Sequence, residues 1–143
     1  MDIFTTFKVA ASALEAQRIR LDTISSNIAN VETTSTPEGG PYKKKSVYFE
    51  STPVSFDQHL QDSIDKNIKG VKVARILEDD SPPKKVYNPS HPDADKDGYV
   101  AMPNVNMLKE MTDMMSATRS YEANTTTIKS AKRMALKALE IGR

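Results

Sequence analysis

The stretch IFTTFKVAASALEAQRIRLDTISSNIANV, residues 3–31, decides how this chain reads. It holds no proline or glycine, and apolar residues recur every seven positions as Phe7, Leu14, Leu21 and Ile28. A second series, Ile3, Ala10, Ile24 and Val31, interleaves with the first, with Gln17 as its polar member. These are the a and d positions of a heptad, a seam that packs against another helix. The spacing predicts a helix from about Asp2 to about Thr33, roughly 42 Å long.

The far end of the chain answers it. Met107, Met114, Tyr121, Ile128 and Ala135 repeat every seven residues, and Ala117, Asn124, Ala131 and Ala138 form a partner series of small residues. Small side chains let a neighbouring backbone approach closely. Met111, Met115, Met134, Leu139 and Ile141 widen the stripe. Asn104 or Asn106 can cap this helix after Pro103, and Gly142 can follow its end. Glu110 and Asp113 early, with Lys132, Arg133 and Lys137 late, complement the helix dipole. A helix from about Asn104 to Arg143 would reach roughly 57 Å.

Between them the composition changes. Residues 34–103 hold all eight prolines and four of the five glycines. Lys45–Phe49 and Gly70–Ile76 alternate like strands, and Tyr87 and Tyr99-Val100 add short ones. Thr36–Pro41 and Asp79–Pro83 read as turns. Leu60, Ile64 and Ile68 suggest a weak amphipathic turn within a mobile loop near 55–70. The expected fold class is therefore α+β. Long N- and C-terminal helices (1–33 and 104–143) form a coiled-coil-like helical domain, with a small β-rich middle insert (34–103).

Composition narrows the function. A net charge of +1 argues against a nucleic-acid binder. The absence of cysteine excludes disulfides, zinc thiolates and thiol nucleophiles. The N-terminus lacks the basic region of a secretory signal, so no cleaved signal is expected. No run approaches the roughly 18 apolar residues of a membrane span, so none is expected. The broad stripes would remain partly wet if two helices paired alone. An intramolecular hairpin is one reading; completion of the stripes by other subunits is the more economical one. A rotation that does not close makes such contacts helical. The residues expected at subunit interfaces are Phe7, Leu14, Leu21, Ile24, Asn27, Ile28 and Asn30 on the first helix. On the last they are Met114, Tyr121, Asn124, Ile128, Ala131 and Ala135. The polar run Ser25–Thr34 and Asn124–Thr127 reads either as a solvated surface or as hydrogen bonding between subunits that sets register.

Catalytic chemistry is hard to find. Asp93-Ala94-Asp95-Lys96-Asp97-Gly98 matches the opening of an EF-hand loop, making a calcium- or ligand-binding module the alternative function. However, the twelfth position is Asn104 rather than a bidentate Glu. His59 and His91 stand in unrelated contexts and read as surface histidines. Lys43-Lys44-Lys45 beside Tyr42 reads as a solvated edge. Neither an enzyme nor a cofactor is expected.

Ser25-Ser26-Asn27-Ile28-Ala29-Asn30-Val31-Glu32-Thr33 resembles the N-terminal signature of bacterial flagellar basal-body rod and hook proteins. Tyr121-Glu122-Ala123-Asn124 and Lys137–Arg143 resemble the same family. Gly39–Tyr42, Ser81–Pro83 and His91–Val105 resemble its proximal-rod type. The resemblance implies a structural, self-assembling subunit, exported unfolded by the flagellar type III machinery without a cleaved signal. It implies a place in the rod that spans the periplasm, with terminal helices forming the inner tube. Other rod proteins and the rod base at the membrane ring and export apparatus would be its partners.

Overall fold

A computed structural model describes residues 3–53 and 69–141. The order is α1 (Ile3–Ala29), β1 (Lys45–Pro53), β2 (Lys69–Glu78), β3 (Lys84–Tyr87), β4 (Tyr99–Met102) and α2 (Met107–Ile141). This is the α+β arrangement that the heptads and the proline-rich middle implied. Most of the segment near 55–70 expected to be a mobile loop, with His59, lies outside the described residues, whereas Lys69 and Gly70 belong to β2. No helix among the described residues is long and apolar enough to cross a membrane.

The two helices pack along each other in opposite directions. Asn27 meets Glu110, while the earlier Arg20 meets the later Asp113. The shared seam is lined by small side chains: Ala10, Ala117 and Ala131 are buried, with Ile24 as the large member. α1 has 27 residues and α2 has 35.

Both helices are shorter than their apolar pattern suggested, because side chains stop them. At the end of α1 the Asn30 amide donates to the Ser26 carbonyl at 2.8 Å. The Thr33 hydroxyl and amide then bond back to Asn30 at 3.1 Å each, so the helix ends at Ala29, four residues before the expected Thr33. At the start of α2, Asn106 rather than Asn104 is the cap, its Oδ1 accepting from the Lys109 amide at 3.2 Å.

The middle is two antiparallel hairpins, β1–β2 and β3–β4. β1 pairs with β2 from Lys45↔Glu78 to Pro53↔Lys69, with a bulge at Tyr48/Phe49 that leaves Ala74 without an opposite partner. This hairpin lies along α1. Gly70 is what brings β2 close: a Cβ there would stand 2.9 Å from Ser12 Oγ. The Ser12 oxygen accepts from the Val71 amide at 3.2 Å. In the β3–β4 hairpin the rings of Tyr87 and Tyr99 stack edge to face at 5.4 Å. Gly98, at φ +79°, completes the turn between them.

A Gly98→Ala variant combines left-handed strain with a Cβ 2.9 Å from the Tyr87 ring. It should lose about 2 kcal/mol in urea unfolding. A change below about 0.5 kcal/mol would mean that the β3–β4 hairpin unfolds independently of the rest.

Candidate assembly site

Where α1 ends, β1 begins and α2 begins, three segments meet on one buried polar cluster. Asn27 is 1% exposed and Glu110 2% exposed. The Asn27 amide donates to Glu110 Oε2 at 3.0 Å and to the Lys45 carbonyl at 2.8 Å. Its Oδ1 accepts from the Lys45 amide at 2.9 Å and from the Tyr42 hydroxyl at 3.0 Å. Asn27 therefore meets the edge of β1 with a donor and an acceptor, as a neighbouring strand would. The Tyr42 hydroxyl also lies 3.2 Å from Ser26 Oγ. Glu110 Oε1 has no aligned hydrogen-bond donor; its counter-charge is the Lys44 ammonium at 2.6 Å. A carboxylate this deep is tolerated only when paired, since unpaired burial costs several kcal/mol.

Of the polar run Ser25–Thr34, the side chains of Ser26, Asn27, Asn30, Thr33 and Thr34 bond within the chain. Asn30 holds the turn after α1, and Thr34 donates to Asp93 Oδ2 at 2.7 Å. In α2, Asn124, Thr125 and Thr127 bond to the carbonyls four residues before them at 2.9–3.0 Å. That is how a helix interior accommodates such residues.

The expected interface residues fall into two groups. Ile24, Asn27 and Ala131 are buried within the chain's own packing. Phe7, Leu14, Leu21, Ile28, Asn30, Met114, Asn124, Ile128 and Ala135 are half-buried, and Tyr121 is exposed. At 3.6 residues per turn, Phe7, Leu14, Leu21 and Ile28 stand roughly opposite Ser12, which faces β2. They form a continuous stripe beside the seam. The starting half of α2 carries a further exposed group in Met107, Leu108, Met111 and Met115. The small side chains are inside and the large ones outside, the reverse of an isolated domain.

The acidic turn has a structural use. Asp95 Oδ1 accepts from the amides of Asp97 and Tyr99 at 2.9 Å each. The His91 Nδ1 accepts from the Asp93 amide at 3.1 Å. No group of three or more His, Asp or Glu side chains able to hold a metal occurs among the described residues. Near Lys43-Lys44-Lys45, only Lys44 turns inward; Lys43 pairs with Asp80 at 2.8 Å, which raises its pKa.

Sequence reading did not identify Glu110, Tyr42 or Lys44 as a cluster. The available signal was phase: Glu110 stands seven residues before Ala117, so it heads the small-residue series.

A family model for flagella basal body rod proteins matches residues 7–35. One for the C-terminal part of flagellar basal body rod FlgEFG proteins matches residues 96–141. The two matched stretches contain Asn27 and Glu110. The chain is 48% identical to the flagellar basal-body rod protein FlgC of Borreliella burgdorferi, over 99% of this chain and 98% of that protein. It is 47% identical to FlgC of Bacillus subtilis over the whole of both, and 41% identical to FlgC of Salmonella typhimurium over 99% of each.

Replacing Asn27 by Ala strands Glu110 Oε2, the Lys45 backbone groups and the Tyr42 hydroxyl. It should cost about 3 kcal/mol in equilibrium unfolding, against about 1 kcal/mol for Tyr42→Phe. Equal, small losses in both would show that the cluster is solvated.

Proposed function

The chain belongs to the flagellar basal-body rod protein family, in its FlgC branch, and from that membership we propose that its helix pair is the assembly layer of the rod and its β hairpins the outer body. It is a structural subunit of the bacterial flagellar rod and assembles with other rod components. One observation carries the assembly reading: the stripe of Phe7, Leu14, Leu21 and Ile28 is incompletely covered, and Met111, Met115, Leu136 and Leu139 are at least 50% exposed. Helices from neighbouring subunits would cover these side chains, each contributing roughly 1.5–3 kcal/mol when fully buried.

The division into residues 1–33, 34–103 and 104–143 fits this role, with the junction of Asn27, Lys44 and Glu110 joining all three. Met114, Tyr121, Ile128 and Ala135 would extend the interface on α2. Ile24 and Ala131 would act indirectly, by holding the helix pair that presents it. We read the chain as non-catalytic, its Asp95 being committed to a turn. Nothing in that turn favours calcium. The rod base at the membrane ring and the flagellar type III export machinery are the further partners proposed, and a periplasm-spanning rod exported without signal cleavage the location. A chain without cysteine, in which no disulfide can lock a fold, suits passage in an unfolded state.

Leu21→Asp should leave the purified protein folded, because the side chain is partly exposed and lies outside the buried seam, yet abolish rod assembly and swimming. Normal motility would remove Leu21 from the interface. Amide hydrogen exchange offers an independent check. In the free chain, amides near 20–30 and 107–117 should be protected, and those near 3–6 and 136–141, beyond the buried Ala10 and Ala131, should exchange fast until rods form. Full protection at both ends of the helix pair before assembly would mean that neighbours add nothing to its folding.

A further inference from the structure

We propose that Glu110 is the register-setting residue of the helix pair: with Asn27 and Lys44 it selects one of several alignments related by a heptad. It thereby decides which stripe the subunit presents to its neighbours.

The seam on α2 repeats every seven residues as Glu110, Ala117, Asn124 and Ala131, and the series runs on to the exposed Ala138. Sliding α2 by one heptad, about 10 Å, towards its N-terminus sets Ala117 where Glu110 stood, Ala131 where Asn124 stood and Ala138 where Ala131 stood, and brings in a larger side chain only where Asn124 takes the place of Ala117. Apolar packing therefore discriminates weakly between alignments. Of the other polar side chains in the seam only Asn124 opposes the slide, by its size at the fully buried place of Ala117. Asn124 bonds its own helix, to the Ser120 carbonyl, so its bond travels with α2. Gln17 Oε1 is buried with no donor in the present alignment. The Arg20–Asp113 contact is 3.7 Å long between partly exposed groups and contributes little.

Glu110 differs from all of these. Its partners lie on α1 and on the segment entering β1, and they exist at one alignment only. In a slipped pair its carboxylate would leave both, and Asn27 would face an alanine. One buried polar residue fixes coiled-coil register in the same way. The link from β4 is a weaker constraint. Its ties are the buried Pro103 and Val105 and one long bond, from the Lys84 ammonium to the Val105 carbonyl at 3.3 Å.

Register matters because the outward stripe is composite. Which of Phe7, Leu14, Leu21 and Ile28 stands beside which of Met114, Tyr121 and Ile128 depends on the alignment. This step rests on the rod-subunit reading; the register role itself does not.

The test uses the full chain, which has no native cysteine, spin-labelled at Lys8→Cys and Glu122→Cys, both exposed positions. The otherwise unaltered protein should give one interlabel distance. Glu110→Ala should stay folded and add a second population with α2 displaced by about 10 Å. Moving the carboxylate, Glu110→Ala with Ala117→Glu, should give one displaced population. Glu110→Gln, which keeps an acceptor for Asn27, and Val105→Ala, which loosens only the link, should keep the original distance. The original distance alone in Glu110→Ala, or its unfolding, would overturn the proposal. Rod yield in cells separates the two steps. A slipped register with normal rods overturns the connection to assembly. An unchanged register with no rods overturns the register role and leaves the rod reading standing.

Discussion

The carboxylate of Glu110, withdrawn from water and held by the Asn27 amide and the Lys44 ammonium, is the constraint around which the described structure is arranged. Burial of a charge is expensive, so every group that compensates it must be delivered to one place. That requirement brings the end of α1, the entry to β1 and the first turn of α2 together. Asn27 contributes twice, because the same amide that reaches Glu110 also pairs with the backbone of Lys45. The β hairpin is thereby held to the helix pair by directional bonds. Ser12 repeats the arrangement further along α1, where Gly70 leaves room for it.

Directional bonds matter here because the apolar contribution is small. The buried apolar residues among those described are Ala10, Ala16, Ile24, Val100, Val105, Ala117 and Ala131, and four of these seven are alanine. An alanine seam brings two helices close but removes little area from water. The large side chains, among them Phe4, Leu108 and Leu139, remain at the surface. For a solitary domain this distribution would be a liability. For a subunit whose faces are completed by neighbours it keeps the stronger hydrophobic contribution for assembly.

Much of this was legible beforehand. The seven-residue repeats identify both helices, since no other regular structure buries every third and fourth residue. The clustering of proline and glycine between Thr34 and Pro103 marks where the helices stop. The signature around Asn27 was legible as a family resemblance but not as a mechanism. Its bonds run to Tyr42, Lys45 and Glu110, the last of them 83 positions away, and a local pattern carries no information at that range. Asp95 misled in the opposite sense: its spacing matches a cation loop, yet its carboxylate is used by the Asp97 and Tyr99 amides nearby.

By itself, the order of residues determined the helices, the class of the middle segment, the absence of cysteine chemistry and the kinship with rod proteins. The first three follow from periodicity, local backbone preference and composition, which act over a few residues at a time; the kinship follows from the resemblance of whole motifs such as Ser25–Thr33. Tertiary structure alone decided which helix faces are spent within the chain and which stay open, and that one acidic residue in the first turn of α2 is buried. A heptad defines a stripe but not its partner. The partner is chosen by long-range contacts, here by a carboxylate that finds its amide and its ammonium in a single alignment.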